Sequence, residues 1–387
     1  MSMQLQIDVV LKQATDAGAV PGVVAMVTDR NKTLYEGAFG RRALDGEAPM
    51  TLDTVGLIAS MTKALTSVAA LQLLEQGKLD LDSPASKWLP ALADVQVLDG
   101  FASDGSPITR APGRPVTMRH LLTHTSGFGY EFLSENVQKY QAATNTPSVL
   151  SATRASLQVP LLFDPGERWE YGIGLDWAGL VVEAISGQTL GTYLSQHVFA
   201  PLAMRDTAFV MRDDMRARKA KIHQRVDGNL VPLDLELPQP AEVELGGAGL
   251  YGTVGDYLKF VRMILNKGAG ENGRVLREET VALLSTNQMG ALTVPSVKTA
   301  NPMLSNDMPL PPDIPHQWGL ATMINTKALP TGRAAGSLMW AGLANSYYWI
   351  DPHTGIAGVF MTQILPFADV QAMPLFLAFE YTTYQSL

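Results

Sequence analysis

The spacing of apolar residues changes from helical to strand-like near the start of the chain. Leu5 to Ala17 alternates apolar and polar positions at helical spacing and stops at Gly18. The stretch that follows, PGVVAMVTDRNKTLYEGAFG, is rich in β-branched and aromatic residues and predicts two strands joined by a turn near Asn31. The N-terminus therefore predicts a helix followed by a β-hairpin.

A long apolar helix is predicted after the hairpin, in the stretch IASMTKALTSVAALQLLEQGK. Gly77 ends this helix, because glycine is the usual residue just past a helix C-terminus. One apolar stripe runs along it, formed by Leu65, Val68, Leu71 and Leu74. Ser60 and Lys63 stand at its start, three residues apart, so both are expected on one face, one turn apart.

The middle of the chain, residues 81–245, is predicted to be mostly helical, with short helices such as Trp177–Ile185 and Tyr193–Phe199 punctuated by Pro, Gly and Asp. A further helix follows Thr253 and Asp256, which resemble a capping pair, and closes at Gly268. The segment to the C-terminus returns to strand patterns.

Three runs near the C-terminus, SLMW, NSYYWIDP and IAGVFMTQI, are β-branched and aromatic, and MPLFLAFEYTTY predicts a final helix. Strands thus occur at both ends of the chain with helices between them. The predicted fold class is α+β, an α/β sandwich. Residues 1–80 and 246–387 would form one domain around an antiparallel sheet flanked by helices, and residues 81–245 an inserted, mostly helical domain.

Composition excludes several function classes. The 387 residues carry a net charge of -8, and their lysines and arginines are scattered, so no nucleic-acid partner is expected. The absence of cysteine rules out thiol nucleophiles and thiolate metal sites. No signal peptide and no apolar run of about 18 residues is seen, which predicts a cytoplasmic protein without a membrane span.

Ser60 and Lys63 could form a reactive centre. A serine hydroxyl becomes a useful nucleophile when a neighbouring base takes its proton, and a lysine serves as that base when burial lowers its pKa. The flanking stretches LIAS and ALTSVAA supply apolar surroundings. The alternative is a serine helix cap followed by a solvated lysine. This S-x-x-K is the only one in the chain.

Two further segments could complete such a centre. Tyr171 follows a Pro-Gly turn and precedes a helix. Its phenol could act as a base beside a lysine ammonium. The alternative, which is the commoner role of such a residue, is a tyrosine buried in the core with its hydroxyl hydrogen-bonded. Gly342 lies in a predicted strand of the stretch SLMWAGLANSYYWIDP, where it could let a substrate reach main-chain N–H groups or could mark a bulge.

In this order and on these elements, the three segments resemble the serine β-lactamase and penicillin-binding-protein superfamily, which is class C β-lactamase-like here, and in particular the family VIII carboxylesterases and their transesterase relatives. Further resemblances are PGVVAMV, GKLDLDSPASKWLP, RHLLTHTSGFGY and GGAGLYGTVGDYLKFVRMIL, so nearly the whole chain is covered. The resemblance implies a β-lactamase/DD-peptidase-like fold with the active site in the cleft between the two domains.

The resemblance also implies roles for individual residues. Ser60 would be the nucleophile of an acyl-enzyme, and Lys63 and Tyr171 its base system. The oxyanion hole would be the backbone N–H groups of Ser60 and Leu343. The residues expected to bind substrate are Trp340, Ala341, Gly342, Tyr130 and Ile173. No metal or cofactor is expected.

Departures from the superfamily pattern bear on the substrate. Members acting on penicillins or D-alanyl peptides generally carry Asn or Ser where this chain has Ile173, and a Lys-Thr-Gly where it has Trp340-Ala341-Gly342. An indole in place of a cation favours neutral, apolar acyl groups. The chain is therefore predicted to be a serine carboxylesterase acting on small-molecule esters of short to medium acyl chains. The alternatives are an acyltransferase, a β-lactamase or D-alanyl peptidase, and a catalytically silent ligand-binding relative.

Several other motifs have simple structural explanations. Gly247, Gly249 and Gly252 match G-x-G-x-x-G, but no βαβ unit surrounds them, so a tight turn is expected. His120 and His124 have metal-ligand spacing but lack a third ligand, and Ser126 beside His124 lacks the G-x-S-x-G elbow of α/β-hydrolases. The methionines, with Trp318, Tyr130 and the Pro-rich loop 301–317, could line an acyl pocket or simply fill the core.

Overall fold

A seven-stranded antiparallel sheet built from both ends of the chain forms the centre of the fold. The computed structural model describes residues 2–387. The helices are, in chain order, α1 Met3–Asp16, α2 Thr62–Glu75, α3 Met118–Leu122, α4 Glu135–Thr144, α5 Gly174–Ser186, α6 Leu190–Leu194, α7 Ala200–Leu202, α8 Asp213–Ala217, α9 Val254–Leu265, α10 Glu278–Ser285 and α11 Ala372–Gln385. The strands are β1 Gly22–Thr28, β2 Thr33–Gly40, β3 Gly56–Leu57, β4 Val97–Phe101, β5 Pro107–Arg110, β6 Ile222–Val226, β7 Asn229–Leu233, β8 Tyr251–Gly252, β9 Ala269–Gly270, β10 Gly273–Arg274, β11 His316–Trp318, β12 Met323–Asn325, β13 Leu338–Gly342, β14 Ser346–Asp351, β15 Ile356–Met361 and β16 Ile364–Leu365.

The strand order in the central sheet is β11-β12-β13-β14-β15-β1-β2. Strand β1 is buried along its whole length because both faces of the sheet are covered. Its side chains alternate between two apolar clusters: Val24 and Met26 lie in one with α9, while Val23, Ala25 and Val27 lie in the other with α1 and α11. The predicted α+β class, with a sheet from the two chain ends between helical layers, is confirmed.

Helix α2 runs through the larger of these clusters, and residues 62–73 are buried on every side of it. The sequence predicted a single apolar stripe, whereas the structure surrounds the whole helix, because segments from the sheet side and from the middle of the chain both pack on it. A helix enclosed in this way offers little water to a charged side chain. This setting determines the chemistry of Lys63.

The middle of the chain contains two hairpins, β4–β5 and β6–β7, among its short helices. The sequence did not predict these strands. Strands β11 and β12 of the central sheet were also missed, because each has only three residues and a Pro-rich loop precedes them. Within residues 2–387, no helix combines the length and the apolar composition needed to cross a bilayer.

Candidate active site

Ser60 lies in a tight turn that enters α2. The turn, Ala59–Met61, is a single 3₁₀ turn directly before the helix, and Ala59 adopts a left-handed φ of 44°. Such a conformation is unfavourable for a residue with a β-carbon and persists only when surrounding contacts enforce it. Two hydrogen bonds do so: the Ile58 amide donates to the Leu250 carbonyl (3.0 Å), and the Tyr257 hydroxyl donates to the Met61 carbonyl (2.9 Å).

Lys63 lies behind Ser60 in a small buried space, which we call the amine pocket and define by Lys63, Tyr130, Asp176 and Gly247. Its Nζ donates to Ser60 Oγ (3.1 Å), to the Tyr130 hydroxyl (3.0 Å) and to the Gly247 carbonyl (2.7 Å). The side chain is 1% exposed. The predicted pair is thus in contact, with the amine fixed by three oxygens from three segments.

Burial lowers the pKa of Lys63 to about 7, while the charge of Asp176 opposes this by raising it. An ammonium loses hydration when it is buried, so the neutral amine is favoured. Near neutral pH a substantial fraction of Lys63 is therefore the free amine. A free amine at hydrogen-bond distance from a hydroxyl can accept its proton.

Tyr171 completes the group of predicted catalytic residues. Its hydroxyl is hydrogen-bonded to Ser60 and receives the indole N–H of Trp340 at 2.9 Å. Lys63 Nζ lies 4.7 Å from the centre of the Tyr171 ring. Burial raises the pKa of Tyr171, and the hydrogen bonds from Ser60 and Trp340 only partly offset that rise. Tyr171 is therefore a neutral phenol near pH 7.

Aromatic rings hold the tyrosine segment in place. His124, with a left-handed φ of 58°, lies 4.7 Å from Tyr171 and 5.1 Å from Trp318 between ring centres, and its Nδ1 accepts the Gly172 amide N–H at 3.5 Å. Burial, with a smaller effect of Lys63, holds the pKa of His124 well below its usual value, so it is neutral. These contacts indicate that His124 holds Tyr171 in position.

The other histidine and serine candidates have local structural contacts. His120 Nδ1 accepts the Thr117 amide N–H, which completes a capping box at the start of α3. Ser126 Oγ accepts the Phe128 amide N–H at 3.5 Å. No cluster of three or more potential metal-binding side chains occurs in the part of the chain that the structure describes.

Strand β13 presses against the Ser60 turn at Gly342. A β-carbon built at this position would lie 2.3 Å from the Ile58 carbonyl oxygen, so only glycine permits the approach. Gly342 and Leu343 line the same space as Ser60. The two backbone segments proposed to form the oxyanion hole, at Ser60 and Leu343, therefore flank one cavity.

This cavity, which we call the apolar cavity, has a volume of about 350 Å³ and opens in front of Ser60. Ser60, Tyr171, residues 340–342 of β13 and Leu343 belong to its lining. The remainder of the lining is mostly apolar and comes from residues 132–133, the Pro-rich loop, residues 323–339, Tyr347, Phe367 and α11; examples are Phe132, Met308, Leu310, Phe376 and Leu377. Its polar side chains include His316, Thr331 and Arg333. A larger open groove of about 750 Å³ beside α6 contains none of these residues.

Two residues expected to bind substrate do not line the apolar cavity. Tyr130 is 3% exposed and its hydroxyl contacts the Lys63 amine, so it belongs to the amine pocket. Ile173 is 1% exposed and is packed in the core as the residue before α5. Trp340, Ala341 and Gly342 do line the cavity. In the Pro-rich loop, residues 305 and 308–311 line it as well, whereas Trp318 is fully buried.

Sequence reasoning missed two members of the amine pocket, Asp176 and Gly247. Gly247 belongs to the glycine motif that was interpreted as a tight turn, and no phosphate-binding βαβ unit surrounds it. Its amide donates to Asp176 Oδ1 at 2.8 Å while its carbonyl accepts from Lys63. Asp176 lies in the first turn of α5, one residue before the predicted start of that helix. A carboxylate five positions after Tyr171 was the available signal.

The chain is similar to known proteins over nearly its whole length. A family model described as Beta-lactamase matches residues 7–381. Monacolin J acid methylbutanoyltransferase of Aspergillus terreus is 32% identical over 390 aligned residues, covering 96% of this chain and 94% of that protein. Lovastatin esterase of Penicillium rubens is 33% identical over 378 aligned residues, covering 93% of each. A mutant of simvastatin synthase from Aspergillus terreus superposes with a TM-score of 0.84 at 30% identity, covering 100% of this chain and 95% of that one.

Proposed function

The chain belongs to the beta-lactamase family of serine enzymes, and from this premise we propose that it is a carboxylesterase that forms an acyl-enzyme on Ser60. One observation carries the proposal: the buried Lys63 amine lies 3.1 Å from the Oγ of Ser60, and Ser60 also lines the apolar cavity. A nucleophile, its base and a space for an acyl group therefore meet at Ser60.

In the acylation step, Ser60 Oγ attacks the ester carbonyl carbon and its proton moves to Lys63 Nζ. Lys63 is the better base of the two candidates, because burial lowers the pKa of the amine to about 7 but raises that of the Tyr171 phenol. The carbonyl oxygen becomes an oxyanion that accepts the N–H groups of Ser60 and Leu343. When the ester C–O bond breaks, the proton held by Lys63 passes to the departing alkoxide, directly or through the Tyr171 hydroxyl.

In the deacylation step, a water molecule attacks the acyl carbon and transfers a proton to the same base system. The bond from Ser60 Oγ to the acyl carbon breaks, Oγ regains a proton, and the carboxylic acid leaves. Both half-reactions use the same oxyanion donors, each of which typically contributes about 10²–10³ in rate.

The apolar cavity supports neutral esters as substrates. Its lining offers hydrocarbon contacts over most of its surface, and the position that carries a lysine in penicillin-acting members is Trp340. Arg333 also lines the cavity, but its guanidinium is paired with Glu380. A substrate carboxylate beside Trp340 would therefore lose hydration without gaining an unpaired cation, which is a costly exchange. Ile173, packed in the core, offers no amide to grip a peptide or β-lactam. Esters of short to medium acyl chains fit these conditions best.

Acyl transfer is the second candidate, because the same acyl-enzyme can react with an alcohol. The apolar cavity favours it: a hydrophobic alcohol gains contacts there that water cannot make. A relative covering nearly the whole chain is named a methylbutanoyltransferase, and another is named an esterase. Hydrolysis of p-nitrophenyl butanoate with increasing butanol separates the two. We expect the acid to dominate the products; a butyl ester as the main product at low alcohol would favour transfer.

A covalent probe tests the nucleophile. A fluorophosphonate is expected to label Ser60 in the wild type, as located by peptide mass mapping, and to leave Ser60→Ala unlabelled. Ser126→Ala is the matched control, since this serine was the rival candidate, and it should be labelled like the wild type. A label on Ser126, or an unlabelled wild type, would refute the assignment.

A further inference from the structure

Asp176 is a buried carboxylate that the acyl-enzyme chemistry described above does not use. It is 1% exposed, and its Oδ1 accepts the Gly247 amide N–H at 2.8 Å. Its Oδ2 has no hydrogen-bond partner within 3.5 Å among residues 2–387, although Tyr130 is close enough for a longer hydrogen bond to the carboxylate. A buried ionised group with so few close partners is costly, so such a residue normally serves a purpose.

Gly247 links this carboxylate to the catalytic amine. The residue donates its amide N–H to Asp176 and accepts Lys63 Nζ on its carbonyl, so the two ionisable groups lie on either side of one glycine. A β-carbon at position 247 would lie 2.6 Å from Asp176 Oδ2. Glycine is therefore required for the carboxylate to come this close to the turn that holds the amine.

The groups around Lys63 leave Asp176 as its counter-charge. Burial is the main reason that the pKa of Tyr130 and of Tyr171 is raised and that of His124 is lowered, so all three are neutral near pH 7. Burial raises the pKa of Asp176 to about 6, the charge of Lys63 and the Gly247 amide oppose this rise, and Glu131 adds a smaller upward effect, so Asp176 is mostly ionised at pH 7. Among the described residues, Asp176 is the acidic group whose charge acts on the Lys63 amine. Its place in the first turn of α5 favours the ionised form, because a helix N-terminus attracts negative charge.

We infer that Asp176 is a positioning residue that sets the proton affinity of Lys63 through the Gly247 turn. This inference rests on the proposed function. When the proton of Ser60 moves to Nζ, an ammonium forms in a dry interior, and a fixed carboxylate nearby stabilises it, as the aspartate of a serine-protease triad stabilises the imidazolium. The proton then leaves with the alkoxide, and the amine returns to its neutral form. Asp176 keeps its charge throughout.

Asp176→Asn tests this inference, because the amide keeps the Oδ1 acceptor for Gly247 and removes only the charge. Without the negative charge the ammonium is less stable, so the pKa of Lys63 should fall. The measurement is the pH profile of the rate of fluorophosphonate labelling at Ser60. We expect its acid limb, where the rate falls as Lys63 becomes protonated, to move to lower pH by about one unit. The maximum rate should fall about tenfold, since a weaker base removes a proton less effectively.

Two matched variants separate charge from shape. Glu183→Gln removes a charge from the same helix α5, at a residue that accepts the Leu190 amide N–H, and should leave the acid limb in place. Asp176→Glu keeps the charge and should retain the wild-type acid limb, even if its rate falls. If Asp176→Asn does not fold, Asp176→Ser, also neutral but smaller, is measured in its place against Asp176→Glu.

The outcomes distinguish this inference from the function on which it rests. A wild type that is not labelled at Ser60 would defeat both. If the wild type is labelled at Ser60 but a neutral residue at position 176 does not shift the acid limb of its pH profile, only the role of Asp176 is refuted. A limb that moves down in Asp176→Asn and stays in place in Glu183→Gln supports it.

Discussion

The amine pocket and the apolar cavity meet at Ser60 and are built in opposite ways. In the amine pocket, few residues contribute, and the Lys63 amine has three defined partners, the oxygens of Ser60, Tyr130 and Gly247. In the apolar cavity, many residues from distant segments contribute hydrocarbon surface around about 350 Å³. One region depends on the direction of hydrogen bonds, and the other depends on shape and volume.

This difference divides the expected roles. Polar contacts in a dry pocket are strong and intolerant of displacement, so a change there should reduce the rate with every ester by a similar factor. Hydrocarbon contacts are individually weak and non-directional, so a change in the cavity should reorder substrates while leaving the chemistry in place. The separation can be tested by substitutions in each region. A change in the amine pocket should lower the rates with all esters equally, and a change in the apolar cavity should alter the order of preference among esters.

The largest effect is expected from Lys63→Ala in the amine pocket. The variant removes the base, and kcat/KM should fall about 10²–10⁴-fold for both p-nitrophenyl acetate and hexanoate. Lys78→Ala, at an exposed lysine just past the same helix, is the matched control and should retain wild-type activity. Activity within tenfold of wild type in the Lys63 variant would show that the pocket does not supply the base.

Gly342→Ala acts at the boundary between the regions. The added β-carbon would meet the Ile58 carbonyl oxygen at 2.3 Å, so β13 must move away from the Ser60 turn. Because an oxyanion donor would be displaced, kcat should fall about 10²–10³-fold with all esters. Gly46→Ala, where the nearest atoms lie at 4.0 Å, should be neutral. Circular dichroism verifies that the Gly342 variant is folded. If its kcat is then within tenfold of wild type, the end of β13 does not supply an oxyanion donor.

The two regions also differ in how far the sequence could predict them. Ser60 and Lys63 lie three residues apart on one helical segment, so their contact follows from local geometry. The central strands β13–β15 and helices α1, α9 and α11 were likewise predictable, because each has strong periodicity and clear end signals. Asp176 and Gly247 were missed, since their contact joins segments that only the folded chain brings together.

The apolar cavity could be predicted only in part. Leu310 and Phe376 are ordinary apolar residues, and no sequence pattern separates a cavity wall from a filled core. The Pro-rich loop was noted because its composition is unusual, and it does line the cavity. Tyr130 was expected beside the substrate but lies in the amine pocket, because the sequence does not state on which side of Ser60 an aromatic ring will pack.

Met308→Trp should alter the cavity without altering the chemistry. The larger side chain would occupy volume in the Pro-rich loop wall, so the ratio of kcat/KM for hexanoate to that for acetate should fall at least about tenfold. Activity with acetate should stay close to wild type. Met303→Trp is the matched control, since Met303 is 57% exposed in the same loop and does not line the cavity. An equal loss with both esters would contradict the division of roles.

The smallest expected effect is also the sharpest test, because Trp340 both lines the apolar cavity and contacts the proposed catalytic residue Tyr171. Its indole lines the apolar cavity, while its N–H donates to the Tyr171 hydroxyl at 2.9 Å. Trp340→Phe removes the donor and some volume. Loss of one such hydrogen bond, about 0.5–1.5 kcal/mol, should lower kcat roughly two- to tenfold for every ester. The enlarged cavity should at the same time raise the relative rate with longer acyl chains.

A double-mutant cycle with Tyr171→Phe separates these two effects of Trp340. Without the phenol there is no acceptor for the indole N–H, so Trp340→Phe should no longer lower the common rate. The change in acyl-chain preference should persist in that background, because it depends on volume alone. If the preference also vanishes with the phenol, the two regions act as one unit and their separation at Ser60 fails.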